Sequence, residues 1–297
     1  MDNELLLIDR IGVIRDTIKK FGEDKFYISY SGGKDSTVLS YLIDLALPYN
    51  KIPRVYINTG IEYTHIVDFV KSKMEKDSRF VMVMPTTPIK QMLETKGYPF
   101  KSKLHSQTVG RFQCSGMCKS VNAYVNVNKS GQFKCPEKLK YQFTPEFKLK
   151  LSDKCCLEMK KKPAKKWAKE HNKTICIIGI LGDEHGVRGK NLYTINTCFD
   201  KKQTKFYPLK KVNKEWETWF INKYNIELCK LYYQPYNFER TGCKGCPFSL
   251  HLQKDLETME KLLPNERKQC EFIWEPVYKE YRRLKYRLKE ENNEKEN

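Results

Sequence analysis

The stretch SYSGGKDSTVLSYL, residues 29–42, decides how this chain is read. Before it, Phe26, Tyr27, Ile28 and Tyr30 form an aromatic and β-branched run with no breaker, which predicts a strand. After it, Val38, Leu39, Leu42, Ile43 and Ala46 recur at helical spacing. Two glycines, a lysine, an aspartate and several hydroxyls therefore sit where a strand hands over to a helix. Gly32 and Gly33 let backbone N–H groups come close to an oxyanion. The start of the following helix adds unpaired N–H groups and a positive dipole end. Ser31, Ser36 and Thr37 bring hydroxyls, Lys34 brings charge, and Asp35 can hold Mg²⁺ or cap the helix. The sum predicts a pocket for a di- or triphosphate. It is not a Walker A loop, because the spacing G-x-x-x-x-G-K-[ST] is absent.

Working outward, residues 4–20 predict an amphipathic lead-in helix through Leu5, Ile8, Ile11, Ile14 and Ile18. RVYINTG (54–60) predicts a second strand, YTHIVDFVKSKME a helix, and RFVMVM (79–84) a third strand. Thr87 is expected as a helix N-cap, with Pro88 at the first helical position and Gly97 as the stop. Residues 98–150 read as an irregular insertion. CCLEMKKKPAKKWAKEH predicts a helix that kinks or restarts at Pro163, and TICIIGIL (174–181) a fourth, fully buried strand. Asn213 should cap a helix through EWETWFINKY, with Trp216 and Trp219 in the core. The C-terminal part predicts further helix and a charged tail. The alternation argues for an α/β fold, a doubly wound parallel sheet with helices on both faces. Ligands in such sheets bind at the carboxyl ends of the strands, so turns 31–36, 58–62 and 182–188 are expected to line one crevice. The expected organisation is a nucleotide-binding domain over 1–235, with the insertion, and a C-terminal cysteine-containing helical extension over 236–297.

No stretch approaches the ~20 apolar residues of a membrane span, and no leader is recognisable, so a cytoplasmic chain without a membrane partner is expected. Eleven cysteines then point to metal or sulfur chemistry rather than a disulfide scaffold. Lys and Arg number 55 against 36 Asp and Glu, a net charge of +19. That excess favours an anionic partner such as DNA, tRNA or a nucleotide. It is concentrated in KCCLEMKKKPAKKWAKEHNK, around a cysteine pair.

Ser31-Gly32-Gly33-Lys34-Asp35-Ser36 resembles the PP-loop of the ATP pyrophosphatase superfamily. VYINTGIEYTHIVDFV resembles the second strand and turn of its phosphoadenylyl-sulfate (PAPS) reductase branch. FYPLKKVNKEWETWF resembles that branch's Pro-Leu segment and the helix after it. The resemblance implies a PP-loop α/β fold and a site for ATP and Mg²⁺ on Ser31, Gly32, Gly33, Lys34, Asp35, Ser36 and Thr37. Thr59, Gly60 and Glu62 are implied as further nucleotide or substrate contacts. Asn58 stands where several relatives carry Asp. Glu184 and Arg188, in GILGDEHGVRGK, match a Glu-Ser-x-x-Arg pattern with His185 in place of Ser. An arginine there can grip a phosphate bidentately. Lys34, Asp35 and Arg188 are the implied catalytic groups.

Cys155-Cys156 and Cys243-Lys-Gly-Cys246 are two tight pairs. Four thiolates brought together can hold a [4Fe–4S] cluster or Zn²⁺, although adjacent cysteines suit tetrahedral zinc less well. The spacing resembles the cluster-binding pattern of adenylyl-sulfate reductases, and RTGCKGCPF (240–248) a signature of reductase-like proteins. Lys154, Lys160 and Lys244 can offset a cluster's charge, and Cys270 is a reserve ligand. Cys114, Cys118 and Cys135 are weighed as a second metal group with His105, and Cys176 is expected to pack in a strand.

The retained Gly-Gly-Lys-Asp form, and a tail after Cys270 without cysteine, argue for ATP-dependent adenylation. Iron–sulfur-assisted sulfur transfer to a nucleic acid or small molecule, with a sulfur donor protein, would follow. The alternatives are a sulfonucleotide reductase, or a non-catalytic iron–sulfur protein that binds nucleic acid.

Overall fold

The computed structural model describes residues 2–126, 134–183, 198–200, 202 and 204–289. They form two compact units, Met1–Asn58 with Glu62–Met84 and Lys162–Gly242, and Thr59–Ile61 with Pro85–Lys161 and Cys243–Asn297. The inserted region therefore groups with the C-terminal residues.

The first unit holds one sheet of five strands: β1 (Phe26–Tyr30), β2 (Arg54–Ile57), β3 (Phe80–Val83), β4 (Ile175–Ile177) and β5 (Lys205–Phe206). Their order is β3-β2-β1-β4-β5, and every pairing is parallel. Its helices are α1 (Asn3–Phe21), α2 (Lys34–Ala46), α3 (Thr64–Lys76), α7 (Lys162–Glu170) and α8 (Lys214–Lys223). The alternation of β1 explains the two covered faces. Phe26 and Ile28 join a core with Ile14 of α1, Val38, Leu39 and Leu42 of α2, and Trp216 and Phe220 of α8. Tyr27 points the other way, onto Val55 and Trp167 of α7. Burying residues of this size stabilises by about 1.5–3 kcal/mol each, so both faces hold the sheet in register. The strand order reverses between β1 and β4, and such a switch point opens a crevice at the carboxyl ends of the strands. The loop after β1 lies there.

Several expectations change in detail. β4 is only Ile175–Ile177, although Ile178 N–H still donates to Phe206 O (2.9 Å). β5 is too short for any period to reveal it. The helix after β3, α4 (Ile89–Lys96), starts one residue after Pro88, whose ψ of 146° leaves it outside as the N-cap. Asn213 does cap α8, its side chain accepting from Trp216 N–H at 2.9 Å. Trp216 is buried and Trp219 packs half-buried against the core.

The second unit is helical. Besides α4 it contains α5 (Lys103–Ser115), α6 (Lys119–Val125), α9 (Leu252–Leu262) and α10 (Pro264–Arg283). Residues 98–150 are thus more regular than expected: Ser102 caps α5 through His105 N–H (3.2 Å). Phe100 packs on Tyr281 with ring centroids 4.5 Å apart. Cys155 and Cys156 begin a helical turn that continues as a π-helical segment, Leu157–Lys161, just ahead of Pro163. Such widened turns recur at functional sites. Among the described residues, no helix is long and apolar enough to cross a membrane.

Candidate functional site

In the first unit, Ser31–Gly33 turn the chain from β1 into α2. Gly32 has φ +71°, and a Cβ there would stand 2.9 Å from Ile66 Cγ2, so glycine is required. The hydroxyls are turned inward. Ser36 Oγ donates to Gly33 O (3.0 Å) and accepts from Ser31 N–H (3.1 Å), while Thr37 Oγ1 donates to Gly33 O (2.9 Å). Tyr30 and Thr37 share a further hydroxyl contact at 3.1 Å. These groups shape the loop. The first intrahelical bond runs from Thr37 N–H to Gly33 O (3.0 Å), and Gly33 caps α2 without any side-chain acceptor. The amides of Asp35 and Ser36 precede that bond, at the positive end of the helix. The Lys34 amide donates to Tyr232 Oη (3.1 Å), and that oxygen meets Thr241 Oγ1 at 2.6 Å. The Lys34 ammonium sits 5.5 Å above the Tyr232 ring.

Behind the loop lies a carboxyl that the sequence reading did not single out. Glu217 of α8 is 3 % exposed. Burial pushes its carboxyl up to about 8; the Asp35 charge, a hydrogen bond with Asp35 and the Asp183 charge add to the rise, and Lys34 opposes it. Its only sequence signal is a charge between Trp216 and Phe220, inside a helical stripe that is otherwise core. Tyr232 and Thr241 carried no signal, since each reaches the loop through tertiary structure.

Asn58 follows β2, its N–H donating to Val83 O (2.9 Å) and its Nδ2 lying 3.7 Å from Met82 Sδ. Glu62 is buried in the first unit. Thr59 and Gly60 group with the second unit, where Gly60 O accepts from Gln269 Nε2 (3.3 Å). Glu184 and Arg188 lie outside the described residues.

In the second unit, Cys155, Cys156, Cys243 and Cys246 line one cavity with Thr59, Met159, Phe248 and Trp274, and with Lys160 as its cation. Cys155 is buried and the other three are half-buried. Burial, then the charges of Cys243, Cys156 and Cys246, drives the Cys155 thiol far up, and Lys160 opposes this. Burial and the neighbouring Cys243 likewise push Cys246 up to about 12. Two of the four sulfurs are thus held as thiols by burial and by their neighbours, and the donor set fits a thiophilic metal or cluster whose positive charge would compensate them. Among the described residues, no three His, Cys, Asp or Glu side chains converge tightly enough to hold a single metal ion.

The turn Cys243–Cys246 is braced from beneath. Lys244 N–H donates to Ile61 O (3.0 Å), Trp274 Nε1 donates to Lys244 O (3.3 Å), and Tyr278 Oη donates to Gly245 O. The buried Lys244 ammonium stands 3.6 Å from Glu266, so it faces that carboxylate. Gly245 has φ +60°, and a Cβ would stand 2.7 Å from Cys270 Sγ. Cys270 packs beneath the turn.

The second metal group does not form. His105 is buried with Nδ1 3.0 Å from Tyr124 Oη and Nε2 2.7 Å from Gln142 Oε1, which leaves neither nitrogen for a metal. Burial lowers its pKa to about 4. Cys114 is exposed while Cys135 is buried. Cys176 sits in β4 opposite Tyr27 of β1.

The family model for the phosphoadenosine phosphosulfate reductase domain matches residues 25–134 and 120–249. An uncharacterised protein of Methanocaldococcus jannaschii is 23% identical over 227 residues, 76% of this chain and 42% of that protein, so the chain spans less than half of that relative's length. Solved structures with similar folds include a PAPS reductase from Candida auris in a phosphate complex, with TM-score 0.43 and 11% identity, covering 78% of this chain and 93% of that one. Another is the U34-tRNA thiolase NcsA of Methanococcus maripaludis with its [4Fe-4S] cluster, with TM-score 0.40 and 16% identity over 99% of this chain and 84% of that one.

Proposed function

The chain belongs to the phosphoadenosine phosphosulfate reductase domain family, and from that premise we propose that it is an ATP-dependent enzyme that adenylates a substrate for replacement by sulfur. The observation that carries this reading is the loop after β1: the amides of Asp35 and Ser36 precede the first intrahelical bond of α2, whose N-cap Gly33 has no side-chain acceptor, and Lys34 is the first residue of that helix. That array suits the β- and γ-phosphates of ATP·Mg²⁺. A substrate oxygen attacks the α-phosphorus, the bond from that phosphorus to the α–β bridging oxygen breaks, and pyrophosphate leaves. Lys34 and the loop amides stabilise the charge that grows on the departing pyrophosphate. Arg188 and Glu184 are proposed as further nucleotide contacts, with Asn58, Thr59, Gly60 and Glu62.

Cys155, Cys156, Cys243 and Cys246 would hold a [4Fe–4S] cluster, with Zn²⁺ as the alternative. When bound, such a cluster supplies a place for the sulfur that displaces AMP. The chain's own part is to bring four thiols together, to exclude water with Met159, Phe248 and Trp274, and to offset charge with Lys160. A nucleic acid substrate is supported by α7, where Lys162, Lys165, Lys166 and Lys169 are exposed at i, i+3, i+4 and i+7 while Trp167 and Ala168 are buried. The reading places the protein in the cytoplasm, with a sulfur donor protein as partner.

Product analysis with labelled ATP tests the reaction. AMP and pyrophosphate are expected, and ADP with phosphate would overturn it. The family also admits reduction of a sulfonucleotide; sulfite release from such a substrate without ATP would replace the adenylation reading.

A further inference from the structure

One face of α10 holds the whole Cys243–Pro247 turn. Glu266, Cys270, Trp274, Tyr278 and Tyr281 recur there at helical spacing, and all five are buried. Trp274 Nε1 donates to Lys244 O (3.3 Å), Tyr278 Oη to Gly245 O and Tyr281 Oη to Pro247 O (2.9 Å). Glu266 faces the Lys244 ammonium at 3.6 Å, and Cys270 lies under Gly245. Lys244, Gly245 and Pro247 are themselves buried, so their carbonyls need partners, and buried indole and phenol groups need acceptors. One helix meets both needs. The turn also closes on itself, with Cys246 N–H donating to Cys243 O (3.3 Å) and Ser249 N–H to Cys246 O (2.8 Å). The other pair is built differently. Cys155 and Cys156 are neighbours in a helical turn ahead of the π-helical segment. Consecutive helical residues point about 100° apart and do not face each other. A Cys-x-x-Cys spacing, by contrast, brings two sulfurs to one ion.

We propose that Cys243 and Cys246 are the docking half of the thiol set: α10 keeps their turn in shape, the two take up a thiophilic divalent ion as a pair, and Cys155 and Cys156 complete the set afterwards. Trp274 and Tyr278 are the positioning residues, because the carbonyls they hold lie between the two cysteines. Each thiol that binds passes its proton to solvent, so docking forms two metal–sulfur bonds and releases two protons. The turn is ordered during folding, and its ordering entropy is not charged again when the ion arrives. This inference rests on the reading of the cavity as a metal or cluster site and deepens it. It is independent of the ATP chemistry.

The test is titration of the full-length, metal-free chain with Co²⁺ under anaerobic, reducing conditions. Binding is read by sulfur-to-cobalt charge-transfer absorption and not by activity. The double variant Cys155→Ser, Cys156→Ser is expected to keep one cobalt per chain, with a weaker band than the parent. The double variant Cys243→Ser, Cys246→Ser is expected to lose the band. The reverse pattern, loss in both variants or retention in both would overturn the proposal. Tyr278→Phe and Tyr281→Phe then separate positioning from general stability. Each removes one phenol oxygen and keeps the ring, but only Tyr278 bonds between the two cysteines. Tyr278→Phe is expected to weaken cobalt binding about three- to tenfold, the size of a lost hydrogen bond, and Tyr281→Phe by less than about twofold. Equal losses in the two would overturn the positioning role. A parent chain that binds no cobalt would defeat the metal reading of the cavity and this inference with it, whereas a parent that binds while the variants behave otherwise would defeat this inference alone.

Discussion

The phosphate loop and the thiol cavity solve opposite problems. The loop is shaped by its own hydroxyls, which bond back onto its backbone, and it leads into the first-turn amides of α2. The cavity is made of side chains, and two of its sulfurs, Cys155 and Cys246, resist ionisation because of burial and their thiol neighbours. A loop of amides is ready for an anion as soon as the helix forms. A set of buried thiols gains its value only with a cation in hand. The first site is therefore shaped before any ligand arrives, and the second depends on what it binds.

The largest test of that contrast is Cys243→Ser in protein purified without oxygen. The parent should show a broad band at the blue end of the visible spectrum, and the variant should lose both colour and iron; a parent that carries only zinc would put Zn²⁺ in place of the cluster. Next is Lys34→Ala, which should cost about 100- to 1000-fold in kcat for AMP formation, as removal of one preset electrostatic partner does. The thiol region should keep its colour. Gly245→Ala should destabilise by about 1–3 kcal/mol in denaturant titration, because its Cβ would press on Cys270 in a left-handed backbone.

The two units should also differ in the sign of one pH response each, through Glu217 in the first and His105 in the second. Glu217 holds its proton up to about 8 when folded, against 4.5 for the ordinary group. Between those values the folded state binds more protons, so its contribution to stability is lost as pH rises. His105 stays neutral down to about 4 against an ordinary 6.5, so its contribution is lost as pH falls through that window. Calorimetry across pH should show Glu217→Gln removing the loss of stability between about 4.5 and 8 and leaving the His105 contribution in place. An unchanged pH dependence in Glu217→Gln would break the distinction. The smallest effect concerns α7. Replacing Lys165, Lys166 and Lys169 by Gln should weaken nucleic acid binding evenly across sequences and reduce its logarithmic salt slope by about 2–3. An unchanged slope would remove α7 from the contact.

Much of this was legible where the information is local. The strand, the turn and the helix at 26–46 follow from spacing alone, and the parallel sheet follows from repeating that alternation. The cysteines were legible as pairs because each pair is adjacent or nearly so in sequence. What stayed hidden depends on long-range approach. Tyr232 reaches the loop from almost 200 residues away in the chain (198 from Lys34). Glu217 stayed hidden because sequence cannot show that α8 carries its carboxyl into a buried position. His105 resembled a metal ligand because sequence cannot show Tyr124 and Gln142 closing on both of its nitrogens. β5 is two residues long and has no period to read.

Tyr232 carries one further consequence. Its phenol oxygen holds the Lys34 amide while meeting Thr241, so the bend after β1 is strutted by the chain itself. The entropy of ordering that bend is incurred during folding and not at encounter with a ligand. Capture by such a cradle should be quick and quiet, its speed set by diffusion and charge, with no slow rearrangement in the relaxation traces.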